Sequence, residues 1–185
     1  MTMANRRFAS IRMAFLLLLM LPIGCGYHNP NALPDEEQGP VVRLYAPLWN
    51  NPTSETTLAP RLQTVLHDWL MQHKRINLVH SNEGADYLLT GKILSMRYPG
   101  RSYDLRDTAR GLKAVLTVEY SITDRRTGQP LIAPTSISLE EPYVLGSNTA
   151  QTDSNRKLAQ DTLLDELAEQ IHVRVSRALS RQPRN

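Results

Sequence analysis

The chain reads as an α+β domain in which two helices pack on one face of a four- to five-stranded mixed, mostly antiparallel sheet, a two-layer sandwich. Three observations predict it. Two segments, one near each end of the domain, carry a single apolar stripe at helical spacing. Between them lie alternating, β-branched runs joined by short turn-forming stretches. Because each helix has only one apolar face, the simplest burial sets them side by side on one side of the sheet and leaves the other side partly polar.

The first strand is Val41 to Pro47, VVRLYAP, punctuated by Pro40 and Pro47. A polar loop from Trp49 to Thr57 follows, and Thr57 is placed to cap a helix whose apolar positions are Leu58, Leu62, Val65, Leu66, Trp69 and Leu70. Pro60 falls in its first turn, where a missing N–H is tolerated. Ile76 to His80 is a short second strand and Ser81 to Ala85 a turn. The run from Tyr87 to Tyr98 sets Leu89, Gly91, Ile93, Ser95 and Arg97 on one face and Leu88, Thr90, Lys92, Leu94 and Met96 on the other.

Residues Pro99 to Leu112 have no hydrophobic period and read as a loop; Lys113 to Asp124 is the clearest strand. Asp124 to Gly128 predicts a hairpin turn, with Asp124 bonding its own backbone and Gly128 supplying a positive φ. The return strand, Leu131 to Glu141, belongs at a sheet edge in its first half, since Pro130 and Pro134 offer no N–H to a neighbour. A polar loop from Pro142 to Asp153 leads to the last helix, from about Asn155 to Leu179, whose stripe is Leu164, Leu167, Ala168, Ile171, Val175 and Ala178. Arg174, Arg177 and Arg181 near its end suit the helix dipole.

Ahead of the domain, Arg6, Arg7 and Arg12 precede an uncharged run from Met13 to Leu21, and Pro22-Ile23-Gly24 leads into Cys25, the only cysteine. A basic segment, a short apolar segment and small residues before a cut describe a secretory signal peptide. Nine apolar residues rise about 14 Å as a helix, well short of a membrane span. The placement of Cys25 resembles the bacterial lipobox, in which the cysteine is acylated and becomes the new N-terminus; Pro22 stands where leucine is usual and Leu21 one place earlier. Gly26 rather than aspartate after the cysteine implies outer-membrane sorting. The domains expected are thus a signal peptide over residues 1–24, an acylated N-terminus and tether over 25–40, and a single domain over 41–181.

The three arginines of the leader account for the whole formal charge of +3, so the mature part is formally neutral and the sequence pI of about 9.2 carries no implication of nucleic-acid binding. With Cys25 taken by lipid, no thiol remains for a disulfide, a metal or a nucleophile, and an exported chain of this kind is held by its core.

The combination of Cys25-Gly26-Tyr27, VVRLYAPLWNN, LAPRLQTVLHDWLMQ, EGADYLLTGKI, ITDRRTGQPL and EEPYVLGSNTAQTDSNRKLAQDTLLDELAEQI resembles the LptE family of outer-membrane lipoproteins that assemble lipopolysaccharide. The resemblance implies a plug inside the lumen of the large LptD barrel, facing the periplasm and held by a lipid anchor, that helps deliver lipopolysaccharide to the surface. Lipid A carries phosphates, which call for cations at close range. The one local basic excess is Arg97, Arg101, Arg106, Arg110 and Lys113, set against Asp104 and Asp107. It reads either as a contact for those phosphates or as a solvated loop.

Enzyme signatures are missing: there is no Walker or dinucleotide glycine pattern, no H-E-x-x-H and no G-x-S-x-G. His28, His67, His73, His80 and His172 have no metal-ligand spacing and read as surface or boundary residues. Glu140 and Glu141 point to opposite faces of a strand and form no catalytic pair. Trp49 and Trp69 read as core or interface anchors. No cofactor is expected beyond the covalent lipid. The alternatives are an interaction subunit of another envelope or secretion complex, and a hydrolase with an unfamiliar site.

Overall fold

The computed structural model describes residues 40–99 and 111–181. They form strands β1 (Val42–Tyr45), β2 (Ile76–Val79), β3 (Tyr87–Arg97), β4 (Gly111–Asp124) and β5 (Pro130–Val144) and helices α1 (Leu58–Met71) and α2 (Thr149–Ser180). The sheet has the order β2-β1-β3-β4-β5. β1 runs parallel to both of its neighbours, and β3, β4 and β5 form an antiparallel meander. This is the expected two-layer α+β sandwich, with five strands.

The two helices lie side by side and parallel. Arg61 near the start of α1 bonds Gln160 and Asp161, Trp69 near its end donates to Asp165 (2.9 Å), and the His73 ring just beyond it meets His172 edge-on at 5.8 Å. Between helices and sheet the core is dry and aliphatic: Leu62, Leu66 and Leu70 of α1 and Leu163, Leu164, Leu167 and Ile171 of α2 close over Leu44, Leu89, Ile93, Leu116 and Ile122.

Trp49, read as an anchor, has a specific seat. Its indole lies against Gly91 of β3, in the space a Cβ would occupy, and stacks on Tyr120 of β4 with centroids 6.3 Å apart. Glycine in a strand interior here permits the close approach of a neighbouring side chain. The predicted polar loop is therefore tied to the sheet at its start: Asn50 donates to the Gly91 carbonyl and accepts from the Ile93 N–H (2.9 Å).

Several boundaries depart from expectation for local reasons. Thr57 makes no side-chain cap and already has helical dihedrals; the entry to α1 is ordered instead by Asn51, which holds Thr53 and the Glu55 carbonyl. The strict alternation of β3 fails at Leu94, where a register shift between Ile93 and Ser95 puts Met96 toward the core and Arg97 outward. β5 continues to Val144, and α2 begins at Thr149, six residues before the expected Asn155. Asn148 caps it by accepting from the Gln151 N–H, while the Gln151 side chain reaches back to Ser147. His73 is buried rather than a surface residue, because the turn after α1 folds its ring under Arg75, whose N–H donates to Nδ1.

The hairpin forms as expected: Asp124 accepts from the N–H groups of Arg126 and Thr127, and Gly128 has φ 71°. β5 is an edge strand, and its pairing with β4 is irregular around Pro134. The predicted loop over residues 99–112 is a strand from Gly111 onward; Arg101, Arg106 and Arg110 lie outside the described residues, as do Cys25, the leader and the tether.

Two predictions follow from this packing. Gly91→Ala overpacks the Trp49 seat and lowers stability by roughly 1–3 kcal/mol, read by urea denaturation followed through tryptophan fluorescence. The second concerns Asp86, which accepts from the backbone and guanidinium of Arg43 and so pins β3 to β1. The hydrogen bond from Arg43 holds its carboxyl below the usual aspartate range. A depressed folded pKa means stability that is fully present above the unfolded value of about 4 and lost as pH falls through the folded one. Asp86→Asn lowers stability at pH 7 and flattens the acid limb of the curve, and identical acid limbs in the two proteins would refute it.

Candidate functional site

The structure has two unlike ends. β1, β2 and α1 are short, whereas β4, β5 and α2 run on well past them. Arg61, one turn into α1, already meets Gln160, so about the first two turns of α2 overhang α1. The overhang, together with the last residues of β3 and β5 and the first of β4, makes up the end remote from Pro40.

A buried polar network supports this far end. The Tyr98 hydroxyl donates to Glu55 (2.9 Å) and accepts from Gln160, and Gln160 in turn accepts from Arg61 (2.8 Å). Burial pushes the Tyr98 pKa up to about 12, with the bond from Gln160 acting downward and that to Glu55 upward, so the phenol stays protonated. The Tyr143 ring meets Tyr98 edge-on, and the Arg156 guanidinium lies 5.3 Å over the Tyr98 ring.

Beyond the network the surface is cationic and greasy at once. Arg97 is exposed on the bare face of β3, and Arg156, held by Asp153 (2.9 Å), stands beside the exposed Lys157. Val144 is 63% exposed, Leu145 42% and Leu158 67%. The Asn155 side chain donates to the Val144 carbonyl (2.9 Å), which brings the end of β5 and the exposed start of α2 together.

Of the residues singled out in the sequence, Arg97 and Lys113 are in this region, and Lys113 is bonded to Glu140 across the β4–β5 pair at 2.7 Å as Arg156 is to Asp153. Glu140 lies on the bare face and its neighbour Glu141 is opposite Ala114. Sequence reasoning missed Arg156, Lys157, Val144, Leu145 and Leu158. The available signal was Leu158, an apolar residue off the buried stripe of an otherwise amphipathic helix.

The bare sheet face is different in character. It is lined by Thr90, Ser121, Thr117, Ser136 and Ser138, with Lys92 opposite Glu119. A hollow of about 200 Å³ there, walled by Pro134, presents short polar groups and no net charge. Among the described residues no group of three or more His, Cys, Asp or Glu side chains could hold a metal ion, and no helix is long and apolar enough to cross a membrane. Cations and exposed aliphatic side chains at one end of a domain are chemistry suited to an amphiphile with anionic groups.

The fold defines a small two-layer α+β domain with an open, mixed five-stranded sheet. The profile of a protein family described as LptE, lipopolysaccharide-assembly, matches residues 41–175, and the chain belongs to that family. Among solved structures it is similar to a minor lipoprotein of Acinetobacter baumannii (21% identity, TM-score 0.53, covering 79% of this chain and 98% of that one). It is also similar to protein CT253 of Chlamydia trachomatis (11% identity, TM-score 0.52, covering 76% and 99%). At these identities the likeness concerns the fold. No curated protein matches by sequence.

The network under the far end is open to test. Gln160→Ala removes the bond to Tyr98 and leaves Arg61 short of an acceptor, lowering stability by about 1–3 kcal/mol in thermal unfolding followed by circular dichroism.

Proposed function

We propose that this protein is a non-enzymatic, periplasm-facing lipoprotein of the outer membrane, anchored through acylated Cys25, that plugs and supports an LptD-type barrel and contacts lipopolysaccharide with its far end. Family membership over residues 41–175 supports the assembly role. The observation that carries the ligand reading is that the far end holds Arg97, Arg156 and Lys157 together with exposed Val144, Leu145 and Leu158. Lipid A presents phosphates beside acyl chains, and guanidinium groups bind phosphate through paired, charge-assisted hydrogen bonds. The hydroxyl-rich sheet face supports the plug reading, since a barrel lumen is wet and polar.

The test has two parts. A mild-detergent pull-down of the tagged protein from its native outer membrane, with intact-mass analysis, should recover a large barrel and a chain cut before Cys25 bearing acyl groups. An acylated chain without a barrel would instead hand the function to an interaction subunit of another envelope complex. In binding to immobilised lipopolysaccharide, the double change Arg97→Glu and Arg156→Glu weakens affinity by about tenfold or more, as expected for lost charge-assisted bonds. Arg174→Glu, an exposed cation elsewhere, leaves it unchanged, and equal affinity of the double variant and the unaltered chain would remove the far end from the mechanism.

A further inference from the structure

The opposite end of the molecule has a composition that neither the barrel nor the lipopolysaccharide reading uses. The topology gathers four features there. β1 starts at this end, where the Val42 N–H donates to the Arg75 carbonyl and Arg75 Nε to that of Pro40. α1 ends here, because residues 72–75 lead directly into β2, whose Ile76 pairs with Val42. α2 ends here because it runs parallel to α1. The β4–β5 hairpin turns here, since Asp124 pairs with Tyr87 at the start of β3 and the Arg125 N–H donates to the Asp86 carbonyl.

The exposed side chains these features bring together are Lys74, Arg125, Arg126, Arg177 and Arg181, with Val41 61% and Met71 62% exposed beside the point where the described chain begins. Among the described residues the acids nearby are Asp124, Asp86, Asp68 and the exposed Glu83 of the turn before β3. Asp124 is engaged by its own hairpin, Asp86 is bound to Arg43, and Asp68 sits nearly one turn back on α1. Cations rimming exposed apolar side chains are the chemistry of a surface that settles into a headgroup layer.

We infer that, before the domain joins a barrel, this end, carrying Arg125, Arg126, Arg177 and Arg181 around Val41 and Met71, docks on an anionic phospholipid surface and orients the anchored domain with its lipopolysaccharide-contacting end away from that surface. The inference rests on the acylation of Cys25 proposed above. Fourteen residues lie between Cys25 and Pro40, a leash with a reach of at most about 50 Å, so the first surface the domain meets is the leaflet that holds its anchor. The leash leaves the domain at the basic end. Contact then needs no large rotation, and the attraction acts only within a Debye length of about 8 Å at physiological salt.

Cys25 is the only cysteine and its thiol is consumed by lipid, so a single introduced cysteine accepts a dye selectively. Full-length acylated protein labelled at Gln129→Cys in the hairpin, or at Ser154→Cys on the far end, is reconstituted into neutral phosphatidylcholine vesicles or vesicles containing roughly one third phosphatidylglycerol. Energy transfer to headgroup-labelled lipid is then measured. From Gln129→Cys, transfer is at least about twofold greater on the anionic vesicles, and the excess disappears both in 0.5 M salt, roughly a 4 Å screening length, and in the Arg125→Glu, Arg126→Glu, Arg177→Glu, Arg181→Glu variant. From Ser154→Cys, transfer does not respond to lipid charge. Equal transfer from the hairpin on both vesicles, or a charge-dependent gain at Ser154→Cys instead, overturns the orientation while leaving the anchor intact. An intact mass without acyl chains overturns the anchor and this orientation with it. The salt dependence of the unaltered cationic surface keeps the test decisive should the fourfold variant misfold.

Discussion

The contact between Trp49 and Gly91 organises the rest of this fold. A β-strand normally covers its inward face with its own side chains, but β3 leaves a gap at Gly91 and a residue 42 positions earlier fills it with an indole stacked on Tyr120. That seat holds the segment after β1 against the sheet, aims Asn50 at the β3 backbone, and delivers Glu55 to the Tyr98 hydroxyl. From there the chain enters α1 at an angle that lays Leu62, Leu66 and Leu70 on the core. Without this seat the α1 layer would have no fixed register against the meander, and the polar network joining Arg61, Gln160 and Tyr98 would not close.

Parallel helices on one sheet face also explain how the molecule keeps two chemically different ends. Both helix starts point one way, and α2 extends past α1, so its cationic first turns and Leu158 project beyond the shared core. Both helix ends point the other way, toward the start of β1 and the hairpin, and Arg177 in the last turn of α2 complements that helix's dipole. An antiparallel pair would have mixed these populations. The sheet contributes a third surface, lined by hydroxyls with Lys92 opposite Glu119, because most of its apolar residues lie on the side the helices cover. The proposed contacts with a membrane, a barrel wall and lipopolysaccharide would each have a surface of its own.

Much of the architecture was legible in the residues because it is set locally. Helical stripes, the Asp124 to Gly128 turn and the edge position of the proline-bearing β5 follow from backbone geometry and near-neighbour hydrogen bonding, and each was found where the pattern put it. Where the pattern misled, a neighbour in sequence carried the missing information: Asn148 with Gln151 is a capping pair that moves the start of α2 earlier, and Leu94 is an extra residue that turns Arg97 outward.

What the amino-acid order determined by itself, then, was the class of fold, the exclusion of thiol chemistry from the domain once Cys25 is set aside, and the formal neutrality of the chain after residue 24. These depend on composition and on periods of two to four residues. Tertiary structure decided which charges act together. Lys113 reads as a free cation until β5 places Glu140 against it, 27 positions away. Arg156 reads as an ordinary helix-surface residue until the fold sets it over Tyr98. The basic end exists only because a hairpin and two helix termini, far apart along the chain, finish at the same level of the sheet. Electrostatic and amphiphilic surfaces are sums over neighbours in space, and the parallel pairing of β1 and the parallel helices that create those neighbours are non-local contacts with no local pattern to announce them.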